Sequence, residues 1–468
     1  MYDVEQLVAG AWAAGGSGRR LTVVNPADGS PVTRVTMSAE EDVAAAVRAA
    51  RDAAPGWART APAARGAALH AAATAVEADT DELARMMSAE MGKPVPDAAG
   101  SIAAGVGTLR QYAELGPTHR GRALAGDDAA IDLMAYGPRG VVAVITPWND
   151  PVAVSCGLLG AALVTGNTVV YKPSERTPAT GWRLARQLAP HFPDGVLNLL
   201  NGDGTVGAAL AASPVDVVAQ VGSTATGRAI AAACARTGAK ALLENGGKDA
   251  LIVDAGVDPA WAAEQAALGA FANSGQICVA VERVYVHREV AEPFLDALAA
   301  EADRWAGRLG PLVDRRLRDT VDEQVQAALK DGARAVRGGV VPPGPGSHYP
   351  PTVLGDCTDD MAVLREETFG PVAPVVVVDS FDEALRRAAD SPYGLAATVL
   401  TPSMSHAQRA WRDLPVGTVK INAVFGGAPG GAAHPRRGSG QGFGYGPELL
   451  DELTVTKAVH VQAPPSGW

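Results

Sequence analysis

Cys278 closes the string Phe271-Ala272-Asn273-Ser274-Gly275-Gln276-Ile277-Cys278, past an apolar helical stretch and a glycine turn and ahead of a β-branched run. A thiol there is presented at an element boundary, and its thiolate is a nucleophile wherever local donors or charge favour the anion. Two further strings supply partners. Leu243-Glu244-Asn245-Gly246-Gly247-Lys248 puts a carboxylate at the end of an apolar run, and Pro147-Trp148-Asn149-Asp150-Pro151 puts an amide at the end of another. Carboxyl ends of strands in an open sheet face one crevice. A thiol, an amide and a carboxylate meeting there make a nucleophile, an oxyanion donor and a general base. A cysteine without such company is a small buried hydrophobe, the reading for Cys156, Cys234 and Cys357.

A second group of residues has the chemistry of phosphate and sugar contact. Residues 202–207, Gly-Asp-Gly-Thr-Val-Gly, form a GxGxxG string between an extended run and a helical one. The acidic residue expected about 20 positions later is missing, because Val221-Gly222-Ser223-Thr224 stands there. Phosphate contact and a plain helix–strand turn both remain open for this string. Glu175, in Tyr171-Lys172-Pro173-Ser174-Glu175, is the better ribose ligand: a carboxylate accepts from two hydroxyls and repels a 2′-phosphate, with Lys172 as a donor beside it. A solvated Lys–Glu pair is the plain alternative.

The elements that must hold these residues are legible in outline. The chain has 468 residues, 47% hydrophobic and 19% charged, enough for two to four packed units. Its 40 basic and 51 acidic residues leave a net charge of −11, which argues against nucleic acid as a partner. Four widely spaced cysteines without a CxxC pair exclude a disulfide framework or a zinc ribbon and fit a reduced, cytoplasmic setting. Arg19 and Arg20 are followed by no apolar signal core, and no uninterrupted apolar run reaches the ~18–20 residues of a membrane span.

The first 120 residues read as mostly helical. Ser38 and Glu41 fit a capping box opening one helix; others run from Pro62 to Glu77 and from Asp79 to Met91, where Gly92-Lys93-Pro94 stops the last. From Val141 onward, β-branched runs alternate with helical stretches over about 100 residues, the pattern of a doubly wound parallel sheet. A second α/β block follows Leu251-Ile252-Val253, and Thr454 to Gln462 reads as an edge strand.

Taken together, these strings resemble the aldehyde dehydrogenase superfamily over nearly the whole chain. Besides the motifs above, the match runs through Asn25-Pro26-Ala27-Asp28-Gly29, Glu90-Met91-Gly92-Lys93-Pro94, Gly222-Ser223-Thr224, Glu366-Glu367-Thr368-Phe369-Gly370-Pro371-Val372, Ile421-Asn422 and Ser439-Gly440. The resemblance implies an α/β fold: a doubly wound dinucleotide-binding domain (1–120 and 140–246), a second α/β catalytic domain (247–446), and a small β arm for oligomerisation (121–139 and 447–468). It implies a homodimer or homotetramer and a small-molecule aldehyde substrate. It also implies NAD, with NADP possible, as cofactor, held by Ile145, Trp148, Lys172, Ser174, Glu175, Gly204, Gly222, Ser223, Glu367 and Phe369. In such a site Cys278 attacks the aldehyde, Asn149 and the Cys278 N–H hold the oxyanion, and Glu244 activates water against the thioester. Members that pass the acyl group to coenzyme A generally lack this base, so Glu244 favours hydrolysis, and Glu175 favours NAD. The rivals from other classes are a cofactor-independent thiol esterase and a non-catalytic protein of the same fold.

The departures from the family bear on the substrate, which the resemblance makes small or polar. Asp150 replaces a common aromatic and reads either as a polar substrate wall or as the N-cap of a helix starting at Pro151. Val154 and Gly157 on that helix leave more room than the bulky residues often found there, and Ile277 and Val279 flank the thiol. Asn245 stands beside the base in place of a common Leu. His434-Pro435-Arg436-Arg437-Gly438 replaces a Phe-Gly-Gly segment, making His434 and Arg436, with Arg437, either anion ligands or a solvated loop.

Overall fold

The computed structural model describes residues 1–427, 431, 432 and 434–464. Two large sheets dominate it. The first has eight strands, in the order Gly440–Gln441, Lys240–Glu244, Val217–Val221, Val141–Ile145, Thr168–Lys172, Leu197–Leu199, Gln6–Val8 and Ala11–Ala13. Its five central strands are parallel, and antiparallel pairs close both ends. Such strands are buried on both faces, which is why they read as unbroken apolar runs; all of Val141–Ile145 and Thr168–Lys172 is buried. The second sheet has seven strands centred on Asp249–Val253 and Val281–His287, parallel apart from its Arg334–Arg337 edge. A third, three-stranded antiparallel sheet joins Thr454–Gln462 to Ala130–Pro138 through nine residue pairs, leaving Thr454–Gln462 at an edge.

Helix Pro151–Val164 fixes the geometry that matters most. Twelve of its fourteen residues are buried, so the helix is apolar all round and sits inside the molecule against helix Val95–Thr118. Pro151 at its first turn has no N–H to leave unsatisfied, and the residues just before it are held at a fixed exit from strand Val141–Ile145. The fully buried Glu90, on helix Thr80–Met91, ties strand Pro31–Thr36 to helix Pro178–Leu188. It accepts hydrogen bonds from the Thr33 hydroxyl, the Ala179 and Thr180 N–H groups and the Thr180 hydroxyl, satisfying the start of helix Pro178–Leu188.

Two expectations change. The helical reading holds for Glu40–Arg59, Pro62–Ala78, Thr80–Met91 and Val95–Thr118, but residues before 37 form five short strands in place of helix. Three-residue strands carry no period to detect. The capping box also lies one residue later: the Asp42 carboxylate accepts the Ala39 N–H at 2.8 Å. Ser38 is buried instead, donating to Gln6 and accepting the Asn201 N–H. Among the described residues, no helix is long and apolar enough to cross a membrane.

Candidate active site

Helix Pro259–Phe271 ends in a turn in which Asn273, Ser274 and Gly275 all take positive φ, at 49°, 57° and 74°. Three successive left-handed residues are strained, and this turn is tethered at each step. Asn273 Nδ2 donates to Gln276 O, Ser274 Oγ donates to Gly310 O at 2.7 Å, and the Gln276 side chain accepts the Val313 N–H at 2.9 Å. Gly275 lies directly against Gly370 O, where a side chain would not fit. The turn therefore delivers Cys278 to a fixed place. Its Sγ lies 3.6 Å from Glu244 Oε1, and Glu244 is the last residue of strand Lys240–Glu244. Asn149 reaches the same turn: its Nδ2 donates to Gln276 O at 3.0 Å, and its own carbonyl accepts from Asn273 Nδ2. The three predicted groups converge from two sheets and one helix start.

Burial raises the Cys278 thiol well above its ordinary range, and the Glu244, Asp249 and Glu367 carboxylates push it further. Burial also raises Glu244, opposed by the hydrogen bond from the thiol. A half-buried thiol that keeps its proton beside a carboxylate within hydrogen-bond reach has its base in place. The other three cysteines are buried, and burial pushes Cys357 up to about 12.

Beside this centre runs a groove of about 770 Å³, in the size range of cofactor sites. Ile145, Trp148, Lys172, Ser174, Glu175, Gly204, Gly222 and Ser223 all line it. Lys172 Nζ lies 4.0 Å from Glu175 Oε2, and burial lowers the Lys172 ammonium against the pull of Glu175 and Asp203. Helix Thr224–Thr237 starts at the groove, capped by Ser223, and the buried Gln220 Oε1 and Thr224 Oγ1 have no partner among the described residues. A helix N-terminus with spare polar atoms suits a pyrophosphate. The GxGxxG helix, Gly204–Ala211, is different: Asp203 already accepts the Thr205 N–H there and pairs with Arg19 at 2.8 Å. That helix end is occupied by the chain's own carboxylate, so the string works as a turn whose Gly204 and Gly207 keep the groove wall flat. Phe369 and Glu367 stand outside the groove's lining: the Phe369 ring meets Trp148, which does line it, edge to face at 5.5 Å, and Glu367 accepts the Gly247 N–H at 3.1 Å. Burial, then the charge of Glu282, raises Glu367 to about 8.

Residues 12–459 match the Aldehyde dehydrogenase family. The chain belongs to this family. It is 36% identical to the mitochondrial aldehyde dehydrogenase of Leishmania tarentolae, over 97% of this chain and 94% of that one. It is 36% identical to the 2-hydroxymuconic semialdehyde dehydrogenase of Pseudomonas sp. (strain CF600), over 91% and 92%. The solved structure of an indole-3-acetaldehyde dehydrogenase with NAD+ superposes with a TM-score of 0.96 at 34% identity, covering 99% of this chain and 97% of that one.

In this aldehyde dehydrogenase the departures from the family take definite places. Asp150 precedes helix Pro151–Val164 but makes no side-chain cap bond; its carboxylate accepts from Ser101 and lies 3.6 Å from the buried Lys93 ammonium. Val154 is half-buried, as are Ile277 and Val279 beside the thiol. The room left by Gly157 is not open. The Tyr445 ring fills it, 2.9 Å from where a Cβ would stand, and its hydroxyl donates to Ala153 O. Asn245 turns from Glu244, donating to Gly438 O at 3.1 Å. His434 stacks on Phe443 at 4.5 Å, Arg436 is exposed, and Arg437 donates to Ala389 O and Ser391 O.

Other contributors were not singled out from the sequence. Gly444 packs on the Glu244 carboxylate, and Tyr445 closes the space beside helix Pro151–Val164. A buried Lys248–Glu282 pair braces the turn carrying Phe369. Glu282 and Arg283, two charges inside an apolar strand, were the available signal for that pair.

Proposed function

We propose that this aldehyde dehydrogenase oxidises a small, polar aldehyde to its carboxylic acid with NAD(P)+, by way of a thiohemiacetal and a thioester on Cys278. The observation that carries this reading is the Cys278 Sγ–Glu244 contact of 3.6 Å beside a dinucleotide-sized groove. The Cys278 proton passes to Glu244 as sulfur bonds to the aldehyde carbon. The oxyanion is held by the Cys278 N–H and by the Asn149 amide, released from Gln276 O. NAD(P)+, when bound, accepts the hydride that leaves the same carbon, so that the residue carries a thioester. Glu244, its proton lost to solvent, then takes a proton from a water that adds to the thioester carbon. The C–S bond breaks, the acid departs and the sulfur is reprotonated. Lys172 and Glu175 would hold the adenosine ribose, Glu367 the nicotinamide ribose, and Phe369 with Trp148 the nicotinamide ring.

The substrate reading rests on local charge. Lys93 answers the Asp150 carboxylate, and Arg437 is committed to backbone carbonyls, so neither presents a free charge to the substrate. Hydroxylated or otherwise uncharged polar aldehydes fit best. The groove and its ribose carboxylates disfavour a cofactor-independent esterase as the main activity. The two large sheets and the arm sheet support the division into units implied above, with Gly440–Gln441 pairing across to Glu244's strand; residues 465–468 of the arm lie outside the described residues. The open edge of Thr454–Gln462 and the exposed Ile131, Val455 and Val461 support oligomerisation through the arm. The free cysteines suit a reducing, cytoplasmic setting. The test is reduced-nicotinamide absorbance with a panel of aldehydes. Turnover with at least one polar aldehyde, abolished in Cys278→Ala, is expected; ester hydrolysis with no nicotinamide signal overturns the reading.

A further inference from the structure

Phe369 has φ +54°, a conformation an aromatic residue adopts only when its surroundings impose it. The imposing groups are side chains from elsewhere. Glu282, on strand Val281–His287, accepts the Thr368 N–H at 2.8 Å with one oxygen and the Phe369 N–H at 2.9 Å with the other. Lys248, immediately before strand Asp249–Val253, donates to Glu282 and to the Thr368 hydroxyl, each at 2.8 Å. The hydroxyl donates to Gln324 Oε1 at 2.7 Å, and Gln324 Nε2 reaches Glu367 O at 3.3 Å. Both charges of the pair are out of solvent, with side-chain exposures of 0% for Lys248 and 4% for Glu282. Lys248 also follows the Gly246-Gly247 pair against which the Glu367 carboxylate packs, and Gly247 donates to that carboxylate. One ion pair thus grips both the backbone of the Glu367–Phe369 turn and the segment that the Glu367 side chain rests on.

We infer that the Lys248–Glu282 pair is a positioning unit for the cofactor's nicotinamide end: it holds Phe369 in its left-handed conformation, and with it the Trp148–Phe369 gap and the Glu367 carboxylate. The inference rests on the reading that Glu367 and Phe369 contact the cofactor. A pair that served only folding would be replaceable by any neutral, well-packed pair. A positioning pair is not, because only a carboxylate accepts both N–H groups at once. A glutamine at 282 keeps one acceptor and turns a donor towards the other N–H.

The test uses Glu282→Gln and the double variant K248M/E282Q in the full-length protein, with NAD+ binding followed by calorimetry, thermal unfolding, and KM for each substrate. E282Q leaves a buried ammonium unanswered and lowers Tm; K248M/E282Q removes both charges and recovers most of that loss. The dissociation constant for NAD+ is expected to rise by about tenfold or more in both variants, the effect of losing one hydrogen bond to a charged group. The KM for aldehyde at saturating NAD+ stays within roughly twofold, because the thiol, Asn149 and Glu244 are not displaced. The inference is overturned if K248M/E282Q regains NAD+ affinity along with Tm, or if either folded variant binds NAD+ like the parent. Phe369→Ala separates the two levels. Parent-like NAD+ affinity in Phe369→Ala sinks the cofactor reading itself, whereas weak binding there with parent-like K248M/E282Q sinks only the positioning role.

Discussion

Replacing Gly444 by alanine perturbs the general base while barely touching the fold. The glycine φ is not in the left-handed region, so alanine brings no backbone strain. The three atoms nearest the added methyl all belong to Glu244: Oε2 at 2.6 Å, Cδ at 3.6 Å and Cβ at 3.8 Å. Ordinary contact begins at 3.4 Å, so the carboxylate must retreat by about 0.8 Å, the difference between 3.4 and 2.6. It is the free end of a side chain, so the retreat is cheap for stability. It is expensive for chemistry, because Glu244 Oε1 already stands at 3.6 Å from the thiol. A misplacement near 1 Å at a reacting group costs about 100-fold in rate, or ~2.7 kcal/mol of barrier. Steady-state kinetics by reduced-nicotinamide absorbance and a melting curve on the same preparation read both sides. The expected result is kcat/KM down by about 100-fold with Tm moved by less than about 3 °C. A folded Gly444→Ala enzyme within about threefold of the parent would refute the claim that this carboxylate's place sets the rate.

Removing the Glu175 carboxylate (Glu175→Gln) takes away the repulsion of a 2′-phosphate, so the NAD/NADP ratio of kcat/KM should fall by about tenfold; no change in the ratio would exonerate Glu175. Because burial raises Glu244, the acid limb of kcat/KM lies above pH 4.5, and activity rises with pH as the carboxylate ionises; a pH–rate profile whose limb survives in Glu244→Gln would assign it elsewhere. Glu367, raised to about 8 in part by Glu282, should make NAD+ affinity increase as pH climbs through that value, and E282Q should move the transition to lower pH. Glu90→Ala strands the buried N–H groups of Ala179 and Thr180, at about 1–3 kcal/mol each, and should lower unfolding stability by about 2–6 kcal/mol in denaturant titration.

What the sequence makes legible is local. Glu244 ends strand Lys240–Glu244 and Asn149 lies just past strand Val141–Ile145, so the rule that strand carboxyl ends share a crevice relates these two, whereas Cys278 precedes strand Val281–His287 and is marked by its own string. The parallel strands were readable because burial on both faces leaves an unbroken apolar run. What stayed hidden depends on partners far along the chain. Ser38 looks like an N-cap until Gln6 and Asn201 claim its hydroxyl. Gly157 looks like open space until Tyr445 fills it from the other end of the chain. Asp150 looks like a cap or a free charge until Lys93 and Ser101 are seen beside it. The Lys248–Glu282–Thr368 cluster joins three segments that no spacing rule relates, and the parallel pairing of strands Asp249–Val253 and Val281–His287 puts the first two side by side.

The most direct test of the central claim is the intact mass of Glu244→Gln after prolonged incubation with NAD+ and a turned-over aldehyde, followed by peptide mapping. Without the base that activates water, the thioester should persist, adding the mass of the aldehyde less two hydrogens to the peptide bearing Cys278 and to no other cysteine. An adduct on Cys156, Cys234 or Cys357, or parent-like turnover of the aldehyde by Glu244→Gln without an adduct, would contradict the account.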